Sequence, residues 1–313
     1  MPSDPGTQRA TPAAEQTHAG YDPAYFAPLF AIEDRHFWFR ARNLVIAALV
    51  KQLTAGVAPG YRVLEVGCGT GNVLHMLEQI CPVGAVIGMD LFAEGLHYAR
   101  RRTACPLVQG DIQSPPFGIR FPLIGLFDVL EHLPDDLQVL RNLREMLLPG
   151  GALLITVPAS TSLWSYFDEA AHHCRRYSYQ ELRDKLLRTG YQVEYVTPYM
   201  AALFPLVWLG RRVAARMGRR STGAGRRADS LTSNELHITP GVNGLLFALL
   251  AQEIRLIRRR RRLPIGTSLL AIARNPPTLL SSIHDQAQAD HIQQPKPDQQ
   301  QSERQGLVRG APG

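Results

Sequence analysis

The chain lacks the marks of several classes of protein. Its four cysteines include no C-x-x-C pair and no spacing typical of a metal site, which favours reduced thiols in a cytoplasmic protein. The first twenty residues contain no apolar run of the kind that a secretory signal needs. The longest apolar run in the C-terminal half, residues 199–210, is well short of the roughly 20 residues that span a bilayer. We therefore expect neither an exported disulfide-bonded protein nor an integral membrane protein.

Charge of one sign is concentrated in one segment. The formal net charge of the chain is +7. Residues 199–262 contain 13 arginines and three acids, a net charge of +10, so the remainder of the chain carries −3. A partner for the basic surplus must therefore be sought in this segment alone.

Composition and local bias divide the 313 residues into three parts. Hydrophobic content of 45% and charged content of 19% are typical of a globular protein. Residues 1–20 have the composition of a disordered leader, and residues 284–313, with "QQPKPDQQQSERQ", that of a disordered tail. We expect one folded domain over residues 21–283, with residues 199–262 as a basic insertion of two helices and a Gly/Ser/Arg-rich loop.

Strand-like and helix-like segments alternate through this domain. Such alternation predicts an α/β fold in which a mostly parallel sheet is covered by helices on both faces. Ligands in such sheets bind beyond the carboxyl ends of the strands. Strands are predicted at 61–66, 85–90, 107–109, 123–129 and 151–157, helices at 40–53, 72–79, 96–102, 138–147 and 179–189, and a last pair of strands at 191–196 and 267–273.

The stretch "VLEVGCGTGN", residues 63–72, predicts a ligand over a glycine-rich turn. Its glycines, at 67, 69 and 71, differ in spacing from the G-x-G-x-x-G that binds a dinucleotide pyrophosphate. Glu65 stands two residues before the first glycine, where a carboxylate repels phosphate and favours an ammonium or sulfonium group. S-adenosylmethionine carries both of these groups and no phosphate.

Two further acids follow the next two predicted strands. Asp90 ends the second strand, where a carboxylate can accept both hydroxyls of a ribose. Asp111 follows the third, where it can accept from an adenine amino group while Ile112 packs on the ring. Each acid alone is equally well explained as a helix N-cap. Together with Glu65, on successive strand ends, they favour one nucleoside ligand.

At these residues the chain resembles the class I S-adenosylmethionine-dependent methyltransferases, over residues 35–200. It is most similar to the small-molecule branch known as type 11 or type 12. The resemblance implies a Rossmann-like sheet of seven strands, with the last strand antiparallel and inserted between two others. The motifs that carry it are "VLEVGCGTGN", "VIGMD", "GDI", "FDVLEHLPD" and "LLPGGALLITVP", together with "HFWFRARN", "RRYS" and "PIGTSLLAIAR". The cofactor-binding residues that we expect are Glu65, Gly67, Cys68, Gly69, Gly71, Asn72, Asp90, Leu91, Asp111, Ile112 and Asp128.

The segment "FDVLEH" supplies the first candidates for catalysis. The resemblance places it at the end of the fourth strand, facing the methyl group. His132 has the basicity to take a proton from a hydroxyl nucleophile near pH 7. The alternative is that Glu131 and His132 begin the following helix and hold the loop.

The same residues are compatible with a metal site. Asp128, Glu131 and His132 form D-x-x-E-H, which is similar to the E-x-x-E-H of ubiquinone-pathway O-methyltransferases. Two carboxylates and one imidazole would bind Mg²⁺ or a similar ion loosely. The first acid here is one methylene shorter than in that motif, which weakens the analogy.

Two more segments supply acceptor-binding candidates. In residues 168–177, "DEAAHHCRRY", the resemblance places His173, Arg176 and Tyr177 over the acceptor pocket, with His173 as a catalytic candidate. The structural alternative is that Asp168 pairs with Arg175 or Arg176 and fastens the loop. In "HFWFRARN" the aromatic residues, Trp38 among them, are expected to cover the cofactor, with Arg40 or Arg42 near its carboxylate or a substrate; packing at a helix start is the alternative.

The basic insertion combines apolar runs with arginines that follow them. Residues 200–217 and 242–262 suit helices in a membrane interface, with arginines at the headgroups of an anionic inner surface. The alternative is a pair of helices packed on the domain, with solvated arginines at their C-terminal ends. Nucleic acid is the less favoured partner, because the arginines flank aliphatic runs instead of alternating with aromatics.

The sequence thus predicts an enzyme that moves a methyl group from S-adenosylmethionine to an oxygen, less favourably a carbon or nitrogen, of a small or lipid-like acceptor. A ubiquinone-type, metal-assisted O-methyltransferase is one alternative. A non-catalytic membrane or partner adaptor on the same fold is another.

Overall fold

The computed structural model describes residues 21–216 and 238–277. The predicted leader 1–20, the tail 284–313 and the Gly/Ser/Arg-rich loop at 218–230 lie outside these residues. Nine helices of five residues or more occur in the described part: α1 (Phe26–Ile32), α2 (Phe37–Thr54), α3 (Asn72–Ile80), α4 (Ala93–Ala99), α5 (Asp136–Glu145), α6 (Tyr166–Ala170), α7 (Tyr179–Arg188), α8 (Phe204–Arg216) and α9 (Pro240–Arg258). The strands are β1 (Arg62–Val66), β2 (Ala85–Asp90), β3 (Leu107–Gln109), β4 (Phe121–Phe127), β5 (Leu147–Pro158), β6 (Gln192–Tyr199) and β7 (Ser268–Arg274).

The seven strands form one sheet in the order β3-β2-β1-β4-β5-β7-β6. The pairs among β1 to β5 are parallel, whereas β7 runs antiparallel to both β5 and β6 between which it lies. The predicted α/β fold with a mostly parallel, Rossmann-like sheet and an antiparallel last strand is therefore confirmed. From β1 the next strands, β2 and β3, are added on one side of the sheet, whereas β4 and β5 are added on the other. At such a switch point a crevice opens beyond the carboxyl ends of the two central strands, here β1 and β4.

Alternate residues of each strand enter different cores, as the pleat requires. In β1, Val63 packs with residues of α2 and α3, whereas Leu64 packs with residues of α5 and α7. Both cores are built from aliphatic side chains that are almost fully buried. The sheet is thus covered by helices on both faces, which holds the strand ends rigidly and leaves site residues to the turns that follow them.

Helices α8 and α9 lie between β6 and β7, where the sequence predicts the insertion. The Asn243 side chain in α9 accepts from the Phe37 backbone N–H (2.8 Å) and donates to the Arg35 carbonyl (3.0 Å), so α9 is fixed to the start of α2. Within the described residues, no helix combines the length and hydropathy required of a membrane span.

The predicted strand positions agree with the sheet to within a few residues. The helix α1 and the short helix α6 were not predicted. Helix α1 contains a proline, and α6 has only five residues, so neither displays the apolar periodicity that identifies longer helices.

Candidate active site

A cavity of about 1030 Å³ opens beyond the carboxyl ends of β1, β2, β4 and β5. Ligand pockets usually have volumes of about 300–1,000 Å³, so this one has room for a nucleoside cofactor beside a second molecule. The residues that line it come from the turn after β1, the ends of β2 and β4, the turn after β3, the segment of residues 167–176 and a roof from residues 21–42. Side chains of α8 close one side.

The turn after β1 requires its glycines. Gly67, Gly69 and Gly71 all have positive φ (71°, 49° and 77°), a conformation that other residues rarely adopt. A Cβ at Gly67 would lie 2.4 Å from Cγ2 of Val129, so the turn also packs too closely on the segment after β4 to admit a side chain. The backbone N–H groups of Gly67 and Cys68 donate to the Met89 carbonyl (2.7 and 3.1 Å), which fastens the turn to β2.

Two residues of this turn have structural roles. Gly71 is not among the residues that line the cavity, and its Cα side packs on the backbone of Ala99, where a Cβ would approach to 2.9 Å. In this structure Gly71 therefore shapes the turn, and its contact with a cofactor stays a prediction. Asn72 does line the cavity, but its amide also accepts from Asn43 in α2 (2.8 Å) and donates to Asp34 in the turn before α2 (2.9 Å).

Glu65 is a buried acid with one oxygen that has no hydrogen-bond donor among the described residues. Its side chain lines the cavity, the residue is 2% exposed, and Oε2 makes no hydrogen bond to any described residue. Burial raises the pKa of the Glu65 carboxyl well above its usual value, an effect that the positive charge of Arg42 opposes. A buried acid without a donor costs free energy in the folded protein, and a ligand that brings an ammonium donor removes that cost.

Asp90 already has a structural role, since both of its carboxylate oxygens accept from backbone N–H groups. Its Oδ2 accepts from the Gly69 N–H (2.7 Å) and its Oδ1 from the Phe92 N–H (2.9 Å). Burial raises the pKa of Asp90, and these backbone N–H groups oppose the shift. Each oxygen keeps further acceptor capacity toward the cavity, which Asp90 and the neighbouring Leu91 both line. The carboxylate can therefore shape the turn and accept hydroxyl donors.

Asp111 and Ile112 lie on the same wall, after β3. The Asp111 Oδ1 accepts from the Gln113 N–H (2.8 Å), a local turn that leaves Oδ2 available to a ligand. Ile112 is buried and presents an apolar surface beside it. An acceptor next to an apolar wall is a suitable place for an adenine ring and its amino group.

The aromatic residues that precede α2 in this roof were not predicted from the sequence, unlike those of "HFWFRARN". Tyr21 packs against both Phe26 (ring centroids 5.0 Å apart) and Phe92 (5.9 Å), and its ring lies 5.6 Å from that of His132. Tyr25 also lines the cavity. The sequence signal was the density of aromatic residues in "YDPAYFAPLF", residues 21–30, which directly follows the segment predicted to be disordered.

A buried polar network fastens this roof to the glycine turn. The Thr70 hydroxyl donates to the Glu33 carboxylate, and the Arg102 guanidinium pairs with the same carboxylate. Arg102 also donates to the Thr70 hydroxyl (2.7 Å) and to the Phe30 carbonyl (2.7 Å). The position of α1 over the cavity therefore depends on one arginine from the loop after α4.

Arg42 and Asp128 form an ion pair across the cavity wall. The Arg42 Nη1 lies 2.9 Å from the Asp128 Oδ2, and both side chains are largely buried. Asp128 adopts φ 56°, and Arg42 lies over the ring of Trp38, 5.0 Å from its centroid. One oxygen of the Asp128 carboxylate is thus engaged by Arg42, and Asp128 is not in the group of ligand-type atoms formed by Glu131, His132 and His173. Arg42, Asp128 and Trp38 all line the cavity.

The polar end of the cavity contains Glu131, His132 and His173. One ligand-type atom from each of the three lies within 4.8 Å of the others, and the two imidazole centroids are 4.7 Å apart. Glu131 is 1% exposed, and its Oε2 makes no hydrogen bond among the described residues. Burial, followed by the nearby charge of Asp128, raises the pKa of Glu131 well above its usual value. The three predicted catalytic candidates therefore meet, although two chain segments contribute them.

Asp168 holds the loop that carries His173. It is fully buried, accepts from His173 Nδ1 (3.0 Å) and Arg176 Nε (2.6 Å), and completes a capping box with Ser165 at the start of α6. Burial alone would raise the pKa of Asp168, but the bonds from His173 and Arg176 outweigh it and hold the pKa below its usual value. The contacts of Asp168 are therefore those of the structural alternative, in which Asp168 pairs with Arg175 or Arg176 and fastens the loop; its partner is Arg176.

The remaining members of that segment have different positions. Arg176 lines the cavity, but it also donates to the Ala159 carbonyl (3.0 Å), so much of its donor capacity is used within the protein. Tyr177 is fully buried in the core, where its hydroxyl donates to Asp136 Oδ2 (2.9 Å), and it does not line the cavity. We therefore remove Tyr177 from the predicted acceptor contacts: a strand-like pairing of Ala159 with Tyr177 turns its ring into the core.

Comparison of the chain with known proteins identifies its family. A family model described as a methyltransferase domain matches residues 36–196, just over half of the chain. A trans-aconitate 2-methyltransferase of Azoarcus sp. is 34% identical over 36% of this chain and 43% of its own length. A malonyl-[acyl-carrier protein] O-methyltransferase of Enterobacter lignolyticus is 29% identical over 56% of this chain and 71% of its own.

A solved structure supports the fold. The complex between the Haloferax volcanii Trm112 methyltransferase activator and a protein described as a methyltransferase includes a chain that matches with a TM-score of 0.51 and 19% identity. The match covers 82% of this chain and 96% of that one. The chain spans only about two-fifths of the length of the first curated relatives that it matches. On the domain match, the sheet order and the motifs, the chain belongs to the class I S-adenosylmethionine-dependent methyltransferase family, of the type 11/12 kind.

Proposed function

We propose that the cavity binds S-adenosylmethionine and that the chain transfers its methyl group to an oxygen of a small or lipid-like acceptor. The observation that carries this proposal is the buried Glu65 carboxylate, which lines the cavity beside the glycine turn and whose Oε2 has no donor in the part of the chain that the structure describes. The ammonium group of the cofactor supplies that donor. Asp90 would accept from the ribose hydroxyls, and Asp111 from the adenine amino group, with Ile112 and Leu91 against the rings.

The transfer is an in-line displacement at the methyl carbon. The sulfur–carbon bond breaks with its electron pair passing to sulfur, while the acceptor oxygen forms the new bond to carbon and loses its proton. Holding the acceptor and the methyl group close and aligned supplies most of the acceleration in such a reaction. The cluster of Glu131, His132 and His173 is the polar end at which we place the acceptor oxygen, and it is the route by which the proton leaves.

The acceptor is expected to be largely apolar beyond its reacting group. The cavity is lined by Leu203 just before α8 and by Val207 and Gly210 within α8. From α2 it is lined by Phe37 and Trp38. The relatives' names include a trans-aconitate and a malonyl-[acyl-carrier protein] methyltransferase, so acceptors differ within the family. Acceptors of carbon or nitrogen type are the less favoured alternatives.

The test is a methyl-transfer assay with labelled S-adenosylmethionine and a cell extract, in which the labelled product is identified by mass. Glu65→Gln is the variant that should lose transfer, and Glu94→Gln is its matched control because Glu94 is exposed on α4. If calorimetry shows no S-adenosylmethionine binding by the parent chain, the methyltransferase proposal fails and the non-catalytic adaptor is favoured.

We further propose that the insertion docks on an anionic membrane surface. Leu206 and Leu209 on α8 and Val242 and Leu245 on α9 are each more than half exposed. They belong to the segment of residues 199–262 that carries a net charge of +10. Apolar side chains beside arginines are what a headgroup interface accommodates, and α8 also lines the cavity, so an acceptor can enter from the membrane.

Flotation with anionic liposomes at low and high salt tests this docking. The parent chain should float at low salt and less at high salt, because salt screens the arginines. Leu206→Glu with Leu245→Glu should abolish flotation, whereas Val83→Glu, an equally exposed apolar position after α3, should not. Failure of the parent chain to float at low salt would end the membrane proposal and leave the methyltransferase proposal intact.

A further inference from the structure

The polar end of the cavity has an arrangement that acid–base chemistry alone leaves unexplained. Glu131 and His132 come from the short helical turn Leu130–His132 after β4, whereas His173 comes from the loop after α6. One ligand-type atom of each lies within 4.8 Å of the others. The Glu131 Oε2 is buried and has no donor among the described residues. A buried oxygen of this kind requires a proton or a cation beside it.

Asp168 determines which nitrogen of His173 is available. Its Oδ1 lies 3.0 Å from His173 Nδ1 and is also bonded by Arg176, and Oδ2 accepts from the Ser165 N–H (2.9 Å). Because an ionised carboxylate only accepts, Nδ1 must carry the hydrogen. In a neutral ring, Nε2 then has a free electron pair. A carboxylate behind an imidazole is the usual support of a metal-binding histidine.

We propose that Glu131, His132 and His173 bind one first-row divalent ion of the zinc class, with Asp168 as the positioning residue behind His173. Two imidazoles and one carboxylate are ligands that suit zinc, whereas Mg²⁺ prefers oxygen ligands throughout. Ligand atoms around a tetrahedral zinc ion are about 3.4 Å apart at its usual bond lengths of about 2.0–2.1 Å. The ligand atoms lie within 4.8 Å of one another in this structure, so the side chains must draw closer together when an ion binds.

This site differs from the one that the sequence suggested. The D-x-x-E-H pattern named Asp128 with Glu131 and His132, but Asp128 is bonded to Arg42. His173, from a distant segment, takes its place among the candidate ligands. The exchange of an oxygen ligand for a nitrogen ligand is what changes the expected ion from Mg²⁺ to zinc.

The role of the ion, although not its binding, rests on the proposed function. Three protein ligands leave a coordination position open toward the cavity, as in catalytic zinc sites. An acceptor hydroxyl bound there would have a lowered pKa. Its proton would leave to solvent, and the resulting oxygen would form the bond to the methyl carbon as the carbon–sulfur bond breaks, with that electron pair retained by sulfur.

The test is calorimetric titration of the untagged, chelator-treated chain of 313 residues with Zn²⁺ in the absence of S-adenosylmethionine. We expect one ion per chain, with binding lost in His173→Asn. His172→Asn is the matched control, because His172 is the adjacent, exposed histidine and is not in the cluster. Cys174→Ser is a second control, since Cys174 is exposed next to His173 and a thiol also binds zinc. Asp168→Asn should weaken binding about 10- to 100-fold through the loss of its support for His173.

Several outcomes overturn the proposal. The site is not a metal site if the parent chain binds no Zn²⁺, or if His172→Asn or Cys174→Ser weakens binding as much as His173→Asn. If circular dichroism shows that His173→Asn does not fold, two experiments replace it. His132→Asn should also lose Zn²⁺ binding, and pulsed EPR of the Cu²⁺-loaded parent chain should detect two coordinated imidazole nitrogens. A spectrum without coordinated imidazole nitrogen would refute the site. Titration of the chelated chain with S-adenosylmethionine is scored separately, so a failed metal site is distinguishable from a failed methyltransferase assignment.

Discussion

The two ends of the cavity are built in different ways. The end where we place the cofactor is formed by the carboxyl ends of the neighbouring strands β1 and β2. Glu65 lies in β1, Gly67 directly follows it, and Asp90 ends β2, so a short stretch of sequence determines their positions. At the acceptor end, Glu131 meets His173 only because the loop after α6 folds back over β4 and β5. The difference teaches that a family can retain one end unchanged while the other varies, since only the first is fixed by the sheet itself.

The roof connects the two ends, and its removal is expected to have the largest effect. Arg102→Met leaves the buried Glu33 carboxylate without its charged partner and with only the Thr70 hydroxyl as a donor among the described residues, and breaking a buried ion pair costs about 3–5 kcal/mol of stability. Chemical denaturation and calorimetry with S-adenosylmethionine should show a less stable chain with weaker cofactor binding. Arg101→Met is the control: this exposed neighbour contacts the Phe30 ring, a contact that contributes about 0.5–1 kcal/mol. Equal losses in the two variants would contradict the role of the network.

The glycine turn should tolerate substitution less than any other part of the cofactor end. Gly67→Ala places a Cβ against Val129 at a positive φ, so we expect a loss of about 2–4 kcal/mol and little cofactor binding. Adding Val129→Ala should restore part of the stability, because it removes the contact but not the backbone strain. Gly56→Ala, where a Cβ meets nothing within 4 Å, should be near neutral. An unaffected Gly67→Ala would show that the turn is less tightly packed than described.

Glu65→Gln separates binding from stability at the cofactor end. The variant should be at least as stable as the parent near neutral pH, because it removes a buried carboxylate whose Oε2 has no donor within residues 21–216 and 238–277. It should bind S-adenosylmethionine about 10- to 100-fold more weakly, since a hydrogen bond to a charged group contributes about 1.5–3 kcal/mol. Denaturation and calorimetry measure the two effects, and an unstable variant with normal affinity would be the reverse of this expectation.

The same residue predicts a dependence on pH. The folded pKa of Glu65 is raised above its usual 4.5, so the unliganded fold loses stability as pH rises from that value through the folded pKa. Cofactor affinity changes in the opposite direction, because the ammonium group binds the ionised carboxylate and releases its proton. Calorimetry across this range should show affinity that rises with pH in the parent and less in Glu65→Gln; parallel profiles would contradict the assignment.

The smallest effect is expected at Asp111. Its side chain is half-buried and already bonded to its own turn, so Asp111→Asn should reduce S-adenosylmethionine affinity by roughly 5- to 10-fold, the equivalent of about 1 kcal/mol for one hydrogen bond. Asp22→Asn, an acid that caps an exposed turn at the edge of the roof, should not alter affinity. A larger loss at Asp111 than at Glu65 would reverse the order of the two contacts.

The sequence predicted the features that depend on local order. Strand periodicity and the order of the motifs predicted the sheet. Glu65, Asp90 and Asp111 line one cavity because each lies at or after the end of a neighbouring strand, and their spacing along the chain had indicated this. The meeting of Glu131 with His132 followed from their adjacency. Each of these features depends on chemistry within one strand–turn–helix unit.

Features that depend on distant segments were not predicted. Nothing in the sequence pairs Arg102 with Glu33, or Arg42 with Asp128, because the contacts arise only after α1 and α2 fold over the strand ends. Tyr177 was placed at the acceptor for its phenol, whereas the strand-like pairing after β5 turns it into the core. The role of His173 depends on Asp168, five residues away, in a loop whose direction the pattern does not reveal.

Competitive calorimetry with S-adenosylmethionine and a nicotinamide dinucleotide tests the central claim most directly. Both contain an adenosine, but one presents an ammonium group and a sulfonium to Glu65, and the other a pyrophosphate. We expect saturable, one-to-one binding of S-adenosylmethionine by the parent chain and no displacement by the dinucleotide. Tight binding of the dinucleotide, with no heat from S-adenosylmethionine, would contradict the account.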